Sequence, residues 1–333
     1  MEWTPACGDD IFCSDESQLP DLHKAVLGDD IEKVATLLSE GAQVDESTTD
    51  DGTPLQMAAY FGKVAVAKLL FESGADINAP GKLLHGSALQ LAALGGFEEM
   101  VKFLLDNQAN VNAPGSDHYG TALQSAAVNG HLNVVQLLLD SGAEVDADWF
   151  WGPALHVAAL RGHVVIVQLL LKNGAEVNTS GECYGTALQA AVAENNTYAA
   201  KKLVLLLLAS GADINKQGGE NGSALVAAVI ARNYHVVTFL LNHKADVNAG
   251  GGEWGSPLCA AIACGYTAIV ELLLNHKADA NAGGGEWGSP LCAAIACGNT
   301  AIVKLLLKHG ADITYVLDKP DKLILTGILM KSP

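Results

Sequence analysis

The chain has 333 residues, half of them apolar, which is ample material for a buried core. It carries 37 Asp and Glu against 19 Lys and Arg, a net charge of -18. That balance counts against nucleic acid and anionic membrane surfaces, whose binding draws on cations, and favours a protein partner with a basic face.

In chain order, residues 1–20 form an irregular acidic segment without the basic and apolar regions of a secretory signal. Trp3 or Phe12 is expected to dock there as a partial cap. From Leu22 onward one phrase recurs. Leu22, Leu55, Leu89, Leu123, Leu155, Leu188, Leu225, Leu258 and Leu291 are separated by 33, 34, 34, 32, 33, 37, 33 and 33 residues. Two positions before most of these leucines stands a hydroxyl (Thr53, Ser87, Thr121, Thr186, Ser223, Ser256, Ser289), placed to cap a helix start. Paired alanines such as Ala58 and Ala59 follow and keep that helix slim. Gly62, Gly96, Gly130, Gly162, Gly265 and Gly298 then supply the left-handed residue that ends it. Next comes a Val and Leu block at helical spacing, such as Val134, Val135 and Leu138, closed by another glycine such as Gly74 or Gly142. A crossing of about ten residues leads to the next unit.

Several units depart from the phrase. The position after the key leucine is His23, Gln56, Gln90, Gln124, His156 and Gln189, but Val226, Cys259 and Cys292 in the last three. Those three are expected to lack a side-chain hydrogen bond and to be the softer end. Gln108, Lys244 and Lys277 replace a helix-stopping glycine, at a cost of ~1–2 kcal/mol each if the left-handed backbone is kept, so altered local geometry is expected there. The sixth unit carries about four extra residues within 194–202, lengthening a turn or a helix. Residues 249–265 recur without change as 282–298, an internal duplication presenting one surface twice. After Tyr315 the pattern breaks, and residues 316–333 are expected to fold back as a cap, the alternative being the remnant of a longer chain.

These phrases resemble the ankyrin repeat. Thr53-Pro54-Leu55-Gln56 and Gly74-Ala75-Asp76-Ile77-Asn78 follow its motif closely, as does Leu155-His156-Val157-Ala158-Ala159. Tyr184-Gly185-Thr186-Ala187-Leu188-Gln189 is similar to the style of fungal ankyrin proteins. The resemblance covers residues 21–315 and implies an all-α repeat solenoid. About nine antiparallel helix pairs, joined by β-hairpin-like finger loops, would stack into a curved rod with a concave face of fingers and first helices. It implies a protein-binding scaffold or adaptor and carries no particular partner with it.

Little in the chain points to chemistry. No metalloprotease helix, phosphate-cradling loop or nucleophile elbow is present, and no cofactor or metal is expected. Cys259 and Cys264 lie five apart, as do Cys292 and Cys297, which turns each pair apart on a helix. His243, His276 and His309 end three second helices, where a cation meets the helix dipole favourably. The odd total of seven cysteines fits a reducing compartment, so a cytoplasmic or nuclear setting is expected.

Aromatic residues with acids beside them mark the crossings instead: Asp148-Trp149-Phe150-Trp151, Asp117-His118-Tyr119, Glu182-Cys183-Tyr184, Glu253-Trp254 and Glu286-Trp287. Trp and Tyr dominate interface hot spots, and adjacent carboxylates suit an Arg- or Lys-bearing partner. An internal stacking ladder between fingers is the alternative for Tyr119, Trp151, Tyr184, Trp254 and Trp287, which directly precede glycine, whereas Trp149 and Phe150 are extra to such a ladder. The contact candidates are therefore Trp149, Phe150, Trp151, Tyr119, Asp148, Glu253, Trp254, Glu286 and Trp287, together with the positions two after each key leucine. The function expected is a non-catalytic scaffold binding another protein. A sensor or inhibitory subunit of a signalling assembly is the alternative. A rival of another class is an enzyme or small-ligand binder, which would need clustered titratable groups in the groove.

Overall fold

The computed structural model describes residues 19–47, 52–81, 86–115, 120–193, 196–283 and 288–314. These residues form nine successive helix pairs with no extended strand among them. The pairs divide between two units, the first running to Ala154 and the second taking most of the chain from Leu155.

The first unit holds α1 (Asp21–Leu27) and α2 (Ile31–Ser39), then α3 (Pro54–Tyr60) and α4 (Val64–Glu72). Next come α5 (Ala88–Gly95) and α6 (Glu98–Asp106), and α7 (Ala122–Val128) and α8 (Leu132–Asp140). The second unit holds five pairs. They are α9 (Ala154–Leu160) with α10 (Val164–Lys172), α11 (Ala187–Ala193) with α12 (Thr197–Ala209), and α13 (Ala224–Ile230) with α14 (Tyr234–Asn242). The last two are α15 (Pro257–Ala263) with α16 (Thr267–Asn275) and α17 (Pro290–Ala296) with α18 (Thr300–Lys308).

First helices pack on one another along the first unit from α1 to α7 and along the second from α11 to α17, as α3 on α5 and α11 on α13. Ala58, Ala59, Ala92, Ala126 and Ala127 are fully buried there, because a methyl group is all that fits between close backbones. The second helices contribute a stripe such as Val134, Val135 and Leu138, where each buried large side chain contributes ~1.5–3 kcal/mol.

The hydroxyl caps form as the sequence predicts. Thr53 Oγ1 accepts the Gln56 amide while Gln56 Oε1 accepts the Thr53 amide, and Ser87 with Gln90 and Thr121 with Gln124 repeat this reciprocal box. The same glutamines also tie the repeat forward. Gln56 Nε2 donates to the Ala79 carbonyl at 3.1 Å, and Gln90 Nε2 to the Gly120 carbonyl at 2.8 Å. Gln189 Nε2 reaches Gly222 at 2.8 Å, and His156 Nε2 lies 2.9 Å from the Thr179 carbonyl.

In α13, α15 and α17 the serine caps still accept the backbone amides of Val226, Cys259 and Cys292, but the reciprocal bond is absent because these side chains have no carboxamide oxygen to accept the cap's own amide. The expectation that all three repeats lose the forward tie is corrected in the first of them. Ser223 Oγ donates to the Ala249 carbonyl at 3.1 Å. Ala249 stands 23 residues after Val226 (249 minus 226), as Ala79 stands 23 after Gln56, so the cap serine has taken over the bond. Among the described residues no side chain reaches the matching Ala282 carbonyl in repeat eight. Tyr315, its counterpart in repeat nine, lies outside the described residues.

A second set of bonds fixes the spacing on the other side of each unit. Asn78 Oδ1 accepts the Asn110 amide at 2.7 Å, and its Nδ2 donates to the Gln108 carbonyl at 3.2 Å. Asn178 and Asn281 hold the Asp213 and Asp312 amides in the same way, at 2.8 and 2.6 Å. The last residue of the Gly-Ala-Asp-x-Asn phrase is thus the spacer between repeats, a role the sequence reading did not assign.

Gln108, Lys244 and Lys277 all adopt φ +68°. The expected change of geometry does not occur, and these three residues keep the left-handed turn that glycine makes elsewhere. Gly96 shows a further demand at the first-helix stop. A Cβ there would lie 2.4 Å from Nδ1 of His131 in the next repeat, whose Nε2 lies 3.0 Å from the Leu94 carbonyl. The insertion in the sixth unit is helical: α12 has 13 residues where α10 and α14 have 9, an extra turn of ~6 Å.

Candidate interaction surface

The fingers are short and glycine-bounded. In the second unit Gly181, Gly218 and Gly251 each donate an amide to the carbonyl four residues on (Gly185, Gly222 and Gly255), at 2.8, 2.9 and 3.0 Å. Neighbouring fingers abut backbone to backbone. A Cβ on Gly219 would lie 2.3 Å from the Gly185 nitrogen, and one on Gly252 would lie 2.1 Å from the Glu220 carbonyl oxygen. Glu220 also donates its amide to the Cys183 carbonyl at 3.2 Å. The glycine runs in this region therefore serve close stacking.

With the arms filled by glycine, only the tips carry side chains. Glu182, Glu220 and Glu253 are exposed, one carboxylate per finger, while Tyr184 and Trp254 are half-buried. Burial, followed by the Glu220 and Glu182 carboxylates, pushes the Cys183 thiol above its ordinary value. Glu220 was passed over by the sequence reading because its finger lacks an aromatic. Its place four residues before Ala224, matching Glu253 before Pro257, was the available signal.

The aromatic finger 148–151 belongs to the first unit. Trp149 turns inward: a Cβ on Gly120 would lie 2.7 Å from its ring, so the indole lies flat against that glycine. Its Nε1 is buried and has no hydrogen-bond partner. The Trp149 carbonyl accepts the Gly152 amide at 2.7 Å, closing a tight turn that throws the intervening residues outward. Phe150 is 52% exposed and meets Trp151 edge-on, with ring centroids 5.2 Å apart at 84°. Trp151 is half-buried and Asp148 exposed. Tyr119, Glu286 and Trp287 lie outside the described residues, as do 194–195 and both terminal segments.

A family model described as ankyrin repeats in three copies matches residues 82–148, 151–218, 198–284 and 252–316, and a second, for many copies, matches 22–71 and 57–105. The chain belongs to the ankyrin-repeat family. No curated protein matches it. The crystal structure of the human ASB11 ankyrin repeat domain is similar over 68% of this chain and 99% of that one, with 27% identity and a TM-score of 0.58.

The usual role of an ankyrin array is protein–protein interaction, and no catalytic family matches the chain. One reading of where contacts lie is corrected. Of the nine positions two after a key leucine, expected to be exposed, Met57, Leu91, Ser125, Val157, Ala190, Ala227, Ala260 and Ala293 are all at 2% exposure or less, and Lys24 in the first repeat is half-buried. The eight buried positions face the adjacent first helix, where alanine-thin packing closes the space. Among the described residues no group of three or more His, Cys, Asp or Glu is arranged to hold a metal. A hollow of about 350 Å³ lies between two fingers of the first unit. Its polar lining (Asn78, Gln90, Asn110) is already committed to the bonds between repeats.

Proposed function

We propose that this ankyrin array is a non-catalytic scaffold whose fingers bind a protein with a basic, Arg- or Lys-bearing surface. The observation that carries the reading is Phe150. A tight turn holds its ring half in water, braced edge-on by Trp151 and flanked by the exposed Asp148. Exposing an aromatic ring forfeits burial free energy of ~1.5–3 kcal/mol unless a partner covers it. A rigid aromatic anchor beside a carboxylate matches the chemistry of an arginine-rich contact. The carboxylates Glu182, Glu220 and Glu253 extend the same preference over the second unit's fingers. A cytoplasmic or nuclear setting is part of the proposal and rests on the odd, scattered cysteines.

Trp149 supports its finger from within, so the informative variant is Phe150→Ala alone. Its binding to a captured partner is expected to fall by about tenfold or more, the scale of a hot-spot residue, with melting unchanged. Equal affinity of Phe150→Ala and wild type, measured by calorimetry, removes the anchor from this finger.

A further inference from the structure

The second unit carries a surface whose chemistry opposes that of the fingers. The solvent face of α12, the helix with the extra turn, presents Tyr198, Lys202 and Leu205 at helical spacing, with Tyr198 70% and Leu205 50% exposed. Lys202 Nζ stands 4.5 Å from the Tyr198 ring centroid, so cation and aromatic are held as one group. The surface runs on into repeats seven and eight without a break. Asn233 Nδ2 donates to Thr197 Oγ1 at 2.9 Å, joining the start of α12 to that of α14. Lys201 Nζ lies 5.7 Å from the Phe239 centroid. Arg232 takes a left-handed backbone (φ +54°) and sets its guanidinium carbon 5.3 Å from the Tyr266 centroid. Tyr234 between them is 43% exposed.

Among the described residues, Lys201, Lys202 and Arg232 have no carboxylate within ion-pair distance. Residues 196–210 and 231–243 contain no Asp or Glu at all. The acids nearest in sequence are Asp213 and Asp246, each three residues past the end of these stretches, and Glu194, which lies outside the described residues.

We infer that this edge of repeats six to eight is a docking surface for an acidic, partly apolar polypeptide segment of a partner. Three unpaired cations supply charge complementarity, while Tyr198, Leu205 and Tyr234 supply apolar contact between them. A polyanion such as nucleic acid is the poorer fit. Its closely spaced phosphates meet the repulsion of a chain with net charge -18, whereas a short peptide brings few charges and apolar side chains besides. The inference is independent of the finger reading, because the two surfaces select partners of opposite charge.

The test is fluorescence anisotropy with the full chain and a labelled peptide of glutamates interspersed with leucines. The comparison probes are a lysine–leucine peptide, single-stranded oligothymidylate and phosphatidylserine vesicles. Wild type is expected to bind the glutamate peptide, more weakly as salt rises. The charge-reversed K201E/K202E/R232E variant is expected to lose about tenfold or more, and F150A to lose nothing. Should charge reversal lower the melting temperature, K201A/K202A/R232A with Y198A takes its place with the same expectation. Undiminished binding by the cation variants, absence of binding by wild type, or preference for oligothymidylate or vesicles overturns the inference.

Discussion

Trp149 and Phe150 are neighbours in sequence with opposite surroundings, and glycine decides the difference. The bare α-carbon of Gly120 gives the Trp149 indole a flat seat, while the turn closed on Gly152 leaves Phe150 facing water. Sequence marks both residues as aromatics outside the regular phase but has no means of seeing which one finds a seat. The cysteines show the same dependence on surroundings. Cys259 is 3% exposed and its thiol is pushed up by burial, against a smaller opposing pull from the Ser256 hydroxyl, whereas Cys297 is exposed. With an aromatic disulfide reagent at mildly alkaline pH, Cys297 is expected to react at once and Cys259 only on unfolding. The sign for stability follows. Because the folded Cys259 resists ionisation, the unfolded chain loses its proton first, and stability falls as pH rises through the ordinary thiol value towards the folded one. A flat stability profile in that range for wild type, identical to that of Cys259→Ala, would contradict this.

At the scale of the element, one glutamine does three tasks. Gln124 completes the cap of α7, and its Nε2 donates to the Ala147 carbonyl at 2.7 Å and, more distantly, to Gly152 at 3.5 Å. Gln124→Ala is expected to cost about 2–3 kcal/mol, from a lost cap and buried carbonyls left without partners. A lowered urea midpoint checks this, and a loss below the cap alone would show that the forward bonds carry nothing. Much of this was legible in the sequence. The hydroxyl at Thr121, the glycine at Gly130 and the leucine phase are local rules that any repeat must obey, so they fixed helix starts, stops and pairing. What escaped was cooperative between repeats: Ser223 replacing the glutamine tie and Asn78 acting as a spacer. Neither follows from a residue's own preference, since each depends on what the next repeat places opposite it.

For the molecule as a whole, net charge is a sum that conceals its own distribution. The total of -18 suggested a single kind of partner, yet the finger tips carry Glu182, Glu220 and Glu253 while the edge of α12 and α14 carries cations without acids. The exposed aromatics were likewise found only in part. The fingers were read from their acidic flanks, but Tyr198 was marked only by the insertion that contains it, and Tyr234 was hidden among residues that sequence periodicity assigns to an ordinary outer helix. Each unit is built so that first helices are sealed and tips are free, and the account of the protein as a scaffold rests on that division. A photoreactive phenylalanine analogue tests it most directly when placed at position 150 in one sample and at the equally exposed position 165, on the solvent face of α10, in another. The account predicts a partner adduct from position 150 and none from position 165. Adducts of equal yield from both, or from position 165 alone, would contradict it.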